Sequence, residues 1–430
     1  MDPFENALTF LNNIKSNLSD EHQKYLPRLQ KPQNIVKGEV EITMDNGKKQ
    51  KFMAFRSQHN NALGPYKGGI RFHPNVSESE VKALSLWMSL KTSIAGIPYG
   101  GGKGGIIVEP RDLSVTELER LSRAYITFIE PHIGVDVDVP APDVNTNGQI
   151  MAWMLDEYEK IRGHHEPGVL TGKPLEIGGS EGRTKATGYG GVLALQALLE
   201  QIKDVLDKPK AQITIAVQGF GNVGYYFAEI ASDAGYRVVA VSDSKGGVYI
   251  EEGLDPAATL ACKEEKGKIS NCYCVGGVCE LGKGKEITNE QLLELDVDVL
   301  VPAALENVLH KGNAGKIKAK VVVEMANGPL TSEADEILTK NGVLVVPDIF
   351  SNAGGVTVSY LEWVQNRMGY YWTEEEVNSK LEGIMAKAFA AMWKKYQELK
   401  AKDKKTASLR KAAYILAVER ILTAEILRRP

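Results

Sequence analysis

The chain has 430 residues, of which 43% are hydrophobic and 25% are charged, and its formal net charge is −4. This length and composition are typical of a globular protein with two domains, and the mild negative charge argues against nucleic acid as the main partner. No run of 18 apolar residues occurs, and the acidic residues Asp2 and Glu5 lie at the N-terminus. We therefore expect no membrane span, no secretory signal and a cytoplasmic location.

The N-terminal part predicts a helix followed by strands. An amphipathic stretch covers residues 4–18, and the alternating runs 35–44 and 48–59 are joined by Asp45-Asn46-Gly47, a strong hairpin signal. A helix is predicted over residues 77–94, where Ser77 and Glu80 fit a capping box.

Three lysines surround the glycine-rich segment that follows. Lys67 precedes the predicted helix, Lys91 lies near its C-terminal end, and Lys103 lies between glycines that make up six of the ten residues 96–105. We predict a loop here, because glycine permits positive φ and a close approach of the backbone to a ligand. The alternative is that the lysines are ordinary surface residues beside turns. The pattern favours a site for a small dianion.

A second candidate for chemistry is Asp143. Two prolines in VPAPD end a short apolar run and stiffen the loop that carries this carboxylate. We predict that Asn145 or Thr146 caps the helix that follows.

From residue 178 onwards strands and helices alternate, which predicts a parallel α/β sheet. After residue 355 the chain is helical to its end. We predict an α/β protein with two domains: residues 1–178 form an α/β substrate and oligomerisation domain, residues 179–355 form a Rossmann-like dinucleotide-binding domain, and the helices in 356–430 return to the first domain.

The cofactor signal is the sequence QGFGNVG. Gly219, Gly221 and Gly224 follow a predicted strand and open a helix, and Asp243 ends the next strand 19 residues after the third glycine. This context predicts a dinucleotide with its pyrophosphate at the helix N-terminus. Asp243 slightly favours NAD through a ribose hydroxyl, but Ser244 and Lys245 follow it and suit the 2′-phosphate of NADP, so both remain open.

The four cysteines lie within eighteen residues, at Cys262, Cys272, Cys274 and Cys279. Their spacing lacks the paired C-x2-C pattern of a strong zinc site, and we assign no metal. A metal site, a reversible disulfide and a surface hairpin with reduced, idle thiols all remain possible interpretations.

These motifs together resemble a known family. YKGGIRF, KTSIAGIPYGGGKGG, PAPDVNT, GRTKATGYG, QGFGNVG and NAGGVTVSYLEWVQN occur in this order, and most of the chain is similar to the glutamate dehydrogenases of the homohexameric bacterial and archaeal type, within the Glu/Leu/Phe/Val dehydrogenases. The cysteine-bearing segment CYCVGGVCELGKG departs from what we expect of that family.

The resemblance implies a role for each matching residue. Lys67, helped by Ser359, would bind the side-chain carboxylate of glutamate, and Lys91, assisted by Arg183, would bind the α-carboxylate. Lys103 would be the catalytic lysine and Asp143 the acid/base carboxylate. Val356 would line the substrate pocket. The cofactor contacts implied are Thr187, Asn222, Asp243, Asn327 and Asn352.

The predicted function is the reversible oxidative deamination of L-glutamate to 2-oxoglutarate and ammonia, with NAD or NADP, by a homohexamer. A branched-chain or aromatic amino-acid dehydrogenase is the nearest alternative, but Lys67 would leave an unpaired charge opposite an apolar substrate side chain. A catalytically silent, NAD-sensing regulatory subunit is the other alternative, and the presence of both Lys103 and Asp143 argues against it.

Overall fold

The computed structural model describes residues 2–270, 272–276, 278–279 and 284–428. It divides into two compact units. The first unit comprises Met1–Arg183, Val356–Ser379 and Tyr414–Pro430, and the second comprises Thr184–Gly355 and Lys380–Ala413.

The first unit is built on a five-stranded sheet with the strand order β1-β2-β4-β3-β5. Neighbouring strands are antiparallel except that β3 runs parallel to both β4 and β5. Its elements are α1 (Pro3–Ile14), α2 (Asp20–Tyr25), β1 (Asn34–Thr43), β2 (Lys49–Asn60), β3 (Tyr66–Phe72), α3 (Glu78–Ala95), β4 (Gly101–Ile106), α4 (Val115–Ile129), β5 (Asp138–Pro142) and α5 (Gly148–Arg162).

The predicted hairpin and the helix over 77–94 are confirmed. Strands β1 and β2 pair from Asn34 with Gln58 to Thr43 with Lys49, and Gly47 takes a positive φ of 78° in the turn between them. The inward residues of this hairpin pack with α4 and α5 in the main core of the unit.

The predicted glycine-rich loop is wrong for the second half of the segment, which forms strand β4. Within residues 96–105, all of them described, only Gly96 at the end of α3 has a positive φ. The glycines are required by close packing instead: a Cβ on Gly101 would lie 2.2 Å from the carbonyl oxygen of Ser85 on α3. The absence of side chains brings neighbouring strands and α3 together around Lys67 and Lys103.

The second unit contains a seven-stranded sheet with the order β11-β8-β7-β6-β12-β13-β14. Five neighbouring strands run parallel to one another: β7, β6, β12, β13 and β14. At one edge of the sheet, β8 is antiparallel to β7 and β11 is antiparallel to β8. Its elements are α6 (Ala186–Gln201), β6 (Thr214–Gln218), α7 (Asn222–Asp233), β7 (Arg237–Asp243), β8 (Gly246–Tyr249), α8 (Pro256–Lys266), β9 (Cys274–Val275), β10 (Val278–Cys279), β11 (Lys285–Ile287), α9 (Asn289–Leu293), β12 (Val299–Pro302), β13 (Val321–Val323), α10 (Ser332–Lys340), β14 (Leu344–Val346) and α11 (Asp348–Ser351). The predicted Rossmann-like α/β fold is confirmed.

The C-terminal part is helical, as expected, but it is shared between the units. Its helices are α12 (Gly354–Met368), α13 (Glu374–Lys402) and α14 (Leu409–Arg428). Residues 380–413 group with the second unit rather than returning to the first. Within these residues Arg410 is buried and contacts the carboxyl groups of Glu324 at 2.6 Å and Asp335 at 2.9 Å, which ties the start of α14 to the second unit.

No helix among the described residues is long and apolar enough to cross a membrane.

Candidate active site

Lys103 and Asp143 form an ion pair in the first unit. Strand β4 carries Lys103, and Asp143 follows directly after β5. The Lys103 Nζ lies 2.6 Å from Asp143 Oδ1, and the lysine is only 5% exposed. A Cβ on Gly69 would lie 2.6 Å from the Cβ of Asp143, so glycine at this position of β3 leaves room for the carboxylate.

Arg71 is a site residue that sequence reasoning missed. Its Nε lies 2.8 Å from Asp143 Oδ2, so the carboxylate is held between two cations. The Glu80 carboxylate accepts a hydrogen bond from Arg71 Nη1. Glu80 therefore does not complete the capping box predicted at α3, where Ser77 Oγ alone accepts from the Glu80 amide. The motif YKGGIRF contained Arg71, but its pattern gave no reason to choose it.

The loop after Asp143 is fixed by its own side chains. The Asp143 amide donates to Thr146 Oγ1 at 2.7 Å, and Asn147, not Asn145 or Thr146, caps α5 by accepting from the Ile150 amide. The predicted cap was wrong by one or two residues, because Thr146 is engaged in holding the backbone of Asp143.

Burial and neighbouring charges shift the pKa values of both members of the Lys103–Asp143 pair. Burial lowers the pKa of the Lys103 ammonium, Asp143 opposes this shift, and Arg71 adds to it. Burial raises the pKa of the Asp143 carboxyl, but Lys103 and Arg71 outweigh it, and the pKa lies well below its usual range. Asp143 is thus held as a carboxylate beside a lysine whose pKa is lowered by burial.

Lys67 lies on β3 and is 1% exposed. Its Nζ donates to Thr171 Oγ1 at 2.7 Å and to the carbonyl oxygens of Val139 at 3.0 Å and Pro140 at 3.4 Å. All of its hydrogen bonds to described residues therefore end on neutral oxygens. Burial, with the charges of Arg56 and Arg183, lowers its pKa well below the usual value although Glu362 opposes this.

Glu362, on α12, is the carboxylate that acts most strongly on Lys67, but it is already paired with another lysine. It accepts from Lys173 Nζ at 2.6 Å and from the Gly172 amide at 2.8 Å. Glu362 and Thr171 were also missed by sequence reasoning, since a lone Thr and a lone Glu carry no pattern. Only the fold places them around Lys67.

The remaining predicted substrate residues lie in the same unit. Arg183 Nε lies 3.2 Å from Ser359 Oγ on α12, and the Arg183 charge acts on Lys67. Arg183 thus interacts with Ser359 and Lys67, the two residues predicted to bind the side-chain carboxylate of the substrate. Val356 is half-buried near the start of α12, and Lys91 is half-buried near the end of α3.

The glycine fingerprint in the second unit fits a dinucleotide pyrophosphate. Gly219 has a φ of 93° and turns the chain after β6. A Cβ on Gly221 would meet no atom within 4 Å, whereas a Cβ on Gly224 would lie 1.8 Å from the carbonyl oxygen of Gly219. The second glycine thus leaves open space at the N-terminus of α7, and the third permits close packing of helix and turn.

Asp243 ends β7, as predicted. Its Oδ1 accepts from the Lys245 amide at 2.8 Å and its Oδ2 accepts from the Ile269 amide at 3.1 Å. Lys245 is exposed, and its Nζ donates to the carbonyl of Gly267 at 2.8 Å. A carboxylate and an ammonium therefore both lie where the adenosine ribose is expected.

Two predicted amides lie together in the second unit. Asn352 Nδ2 donates to Asn327 Oδ1 at 3.0 Å. Among the described residues Asn352 Oδ1 is buried with no hydrogen-bond partner, and an orphaned acceptor of this kind suits the carboxamide of a nicotinamide. Asn222 is exposed at the start of α7 and Thr187 is half-buried in α6.

Two family models match this chain. The model described as Glutamate/Leucine/Phenylalanine/Valine dehydrogenase matches residues 178–429, and the dimerisation domain of the Glu/Leu/Phe/Val dehydrogenases matches residues 32–160. The chain belongs to this family. The predicted resemblance, and with it the expectation of an amino-acid dehydrogenase that uses a nicotinamide nucleotide, is confirmed.

Relatives within the Glu/Leu/Phe/Val dehydrogenases are similar over nearly the whole chain. The NADP-specific glutamate dehydrogenase A1 of Halobacterium salinarum is 49% identical over 98% of this chain and 97% of its own. The NAD-specific glutamate dehydrogenase of Clostridioides difficile is 49% identical over 99% of this chain and 97% of its own. The hetero-hexameric glutamate dehydrogenase of Thermus thermophilus, solved in a Leu-bound form, superposes with a TM-score of 0.89 at 37% identity, covering 100% of this chain and 97% of that one.

Proposed function

We propose that this protein is a glutamate dehydrogenase, which catalyses the reversible oxidative deamination of L-glutamate to 2-oxoglutarate and ammonia with NAD or NADP. The observation that carries the choice of substrate is Lys67, a buried lysine with only neutral hydrogen-bond partners among the described residues. The curated relatives are named glutamate dehydrogenases, which supports the same choice.

The substrate carboxylate would complete the environment of Lys67. An ammonium in an apolar site is costly unless an anion pairs with it. A second carboxylate on the substrate supplies that anion, and its charge raises the depressed pKa of Lys67 so that the lysine binds a proton together with the substrate. A monocarboxylate with an apolar side chain offers no such partner, which disfavours the leucine, valine and phenylalanine members of the family.

The chemistry would centre on Lys103 and Asp143. A bound nicotinamide nucleotide supplies the acceptor for the Cα hydride. In deamination, neutral Lys103 takes a proton from the water that attacks the iminium carbon of the substrate, and the Asp143 carboxylate takes one from the substrate nitrogen. Since Lys103 Nζ and Asp143 Oδ1 are 2.6 Å apart, a proton passes directly between the two groups. In the reverse direction the Lys103 ammonium polarises the ketone.

The test is the initial rate of reductive amination with ammonia and 2-oxoglutarate, run with NADH and NADPH in parallel. The control substrate is 4-methyl-2-oxopentanoate, which has the same keto acid group and an apolar side chain. We expect turnover of 2-oxoglutarate alone. Faster turnover of the control would overturn the proposal in favour of a branched-chain amino-acid dehydrogenase, and normal nucleotide binding with no turnover of either would support a silent regulatory subunit. The ratio of the two nucleotide rates decides between NAD and NADP.

We also propose that the protein is a cytoplasmic homohexamer. The family model over residues 32–160 describes a dimerisation domain, and the Thermus thermophilus structure is hexameric. Light scattering of the purified chain should give about six times the mass of one protomer, and a mass of two protomers would contradict the hexamer. Cell fractionation tests the location.

A further inference from the structure

The cysteine-rich segment contains a disulfide between Cys262 and Cys272. Cys262 lies on α8 and is 6% exposed, and Cys272 is fully buried. They pack together with Cys274 in a small cluster. The interpretation of these cysteines as reduced and idle on a surface hairpin is therefore wrong, because this pair is oxidised and buried. Among the described residues no group of side chains has the arrangement of a metal site.

The ten-residue segment that follows Cys262, up to Cys272, reaches the predicted dinucleotide site at three points. Lys263 Nζ donates to the carbonyl of Phe220, which lies between Gly219 and Gly221, at 2.8 Å. The Ile269 amide donates to Asp243 Oδ2 at 3.1 Å. The Gly267 carbonyl accepts from Lys245 Nζ at 2.8 Å. One short covalent loop thus touches the glycine turn and both residues that distinguish NAD from NADP.

We propose that the Cys262–Cys272 disulfide is a redox modification site that sets the selectivity of this protein between NAD and NADP. This inference deepens the proposed function and rests on one part of it, the binding of a nicotinamide nucleotide at the glycine turn. In the disulfide form the Ile269 amide fixes Asp243 towards the ribose hydroxyls, and Gly267 holds Lys245 away from a 2′-phosphate.

The redox step is a thiol–disulfide exchange with a dithiol reductant. A thiolate of the dithiol attacks the Sγ of Cys262, the more exposed residue of the pair, and Cys272 leaves as a thiolate that takes up a proton. The second thiol of the reductant then releases Cys262 as a thiol and closes the reductant's own disulfide. Two electrons and two protons pass from the dithiol to the pair, and no other reactant is required.

The effect on binding follows from the loss of the covalent restraint. Without it the segment between the two cysteines has more conformational freedom, so its contacts to Asp243 and Lys245 are occupied for less of the time. Asp243 then keeps the Lys245 amide but loses the Ile269 amide as a donor, so it is oriented less firmly and NADH binding weakens. Lys245 is released from Gly267 and becomes available to the 2′-phosphate of NADPH. This new contact offsets the weakening of NADPH binding.

The test measures NADH and NADPH dissociation constants by nucleotide fluorescence, without substrate, before and after treatment with dithiothreitol. Alkylation followed by mass spectrometry shows which cysteines have been reduced. We expect the dissociation constant of NADH to rise about three- to tenfold on reduction of the pair, with a smaller change for NADPH. An unchanged ratio of the two constants after complete reduction, or an equal weakening of both, would overturn the proposal.

Two variants separate this disulfide from the other two cysteines. Cys274→Ser/Cys279→Ser leaves Cys262 and Cys272 as the only cysteines and should keep the full redox response. Cys262→Ser/Cys272→Ser should have the reduced ratio under both conditions, and a response that persists in it would contradict the assignment. The wild-type comparison does not depend on the folding of either variant. Because binding is read without 2-oxoglutarate, a failure of glutamate dehydrogenase activity leaves this result interpretable.

Discussion

The two units offer anionic ligands different surroundings. In the first unit, charged side chains are buried: Lys67 and Lys103 are 1% and 5% exposed. In the second unit the candidate site is made largely of backbone, with open space at Gly221 and a helix N-terminus behind it. The substrate proposed for the first unit is small and carries its charge at its ends, whereas a pyrophosphate is broad and suits several amides at once.

The two arrangements predict different sources of ligand selectivity. A buried ammonium that has only neutral partners, such as Lys67, has an unfavourable solvation energy that an anionic ligand offsets, so such a site selects strongly between ligands of different charge. A glycine turn is satisfied by its own backbone geometry and binds any ligand with the same phosphate group. Substrate selectivity is therefore expected from the first unit, and selectivity between nucleotides from the few side chains near Asp243.

The largest effect is expected for Asp143→Asn. The substitution keeps the shape of the side chain but removes the charge that accepts a proton and pairs with Lys103. The kcat should fall by about 10²–10⁴-fold, the range of general acid–base catalysis, while NADH affinity stays unchanged. Steady-state kinetics and fluorescence titration check the two expectations. The matched control is Asp136→Asn, an exposed carboxylate in the same unit, and an equal loss in that variant would refute the acid/base role.

A smaller effect is expected for Lys67→Met, which keeps the length of the side chain and removes its charge. The KM for 2-oxoglutarate should rise about 10- to 100-fold, equivalent to the loss of one hydrogen bond to a charged group. Rates measured across pH sharpen the test. Because the pKa of free Lys67 is lowered, a rise in pH removes the proton that the carboxylate requires, so the wild-type KM should increase with pH. This increase should be absent in Lys67→Met.

The control for Lys67→Met is Lys49→Met, which changes an exposed lysine on the neighbouring hairpin. Its KM and pH dependence should match those of the wild type. A Lys67→Met enzyme with an unchanged KM would show that the side-chain carboxylate is bound elsewhere.

A matched pair of glycine substitutions tests the second unit. Gly221→Ala adds a methyl group where the protein has open space, so the melting temperature should stay the same while NADH affinity falls about tenfold. Gly224→Ala places a Cβ 1.8 Å from the Gly219 carbonyl, so it should lower the melting temperature as well as the affinity. If Gly221→Ala binds NADH normally, the nucleotide does not lie at this turn.

An effect on stability rather than on binding or turnover is expected at Glu324, a fully buried carboxyl in the second unit. Burial raises its pKa from 4.5 to about 8 although Arg410 opposes the shift, the opposite outcome to that for Asp143, which two cations hold ionised. Since the folded form binds the proton more tightly than the unfolded form, this stabilisation is complete below pH 4.5 and is lost as pH rises to about 8. The slope is at most about 1.4 kcal/mol per pH unit.

Thermal unfolding between pH 5 and 8 measures this slope. Glu324→Gln, which does not titrate, should give a flatter dependence of the melting temperature on pH than the wild type. Parallel curves for the two proteins would mean that Glu324 is ionised throughout this range.

The sequence by itself determined the hairpin at Gly47, the Rossmann-like fold and the family, because local turn chemistry, strand periodicity and the order of motifs are written in neighbouring residues. It also selected Lys103 and Asp143, which the fold brings into contact. The form of the glycine-rich segment was decided by the tertiary structure: four of its six glycines belong to strand β4, where they are required by close packing with residues distant in the sequence rather than by a turn. The same is true of Arg71, Thr171 and Glu362, of the pairing of Cys262 with Cys272, and of the division of the C-terminal helices by Arg410. Each depends on a contact between distant residues, and such contacts leave no periodic or local signal in the sequence.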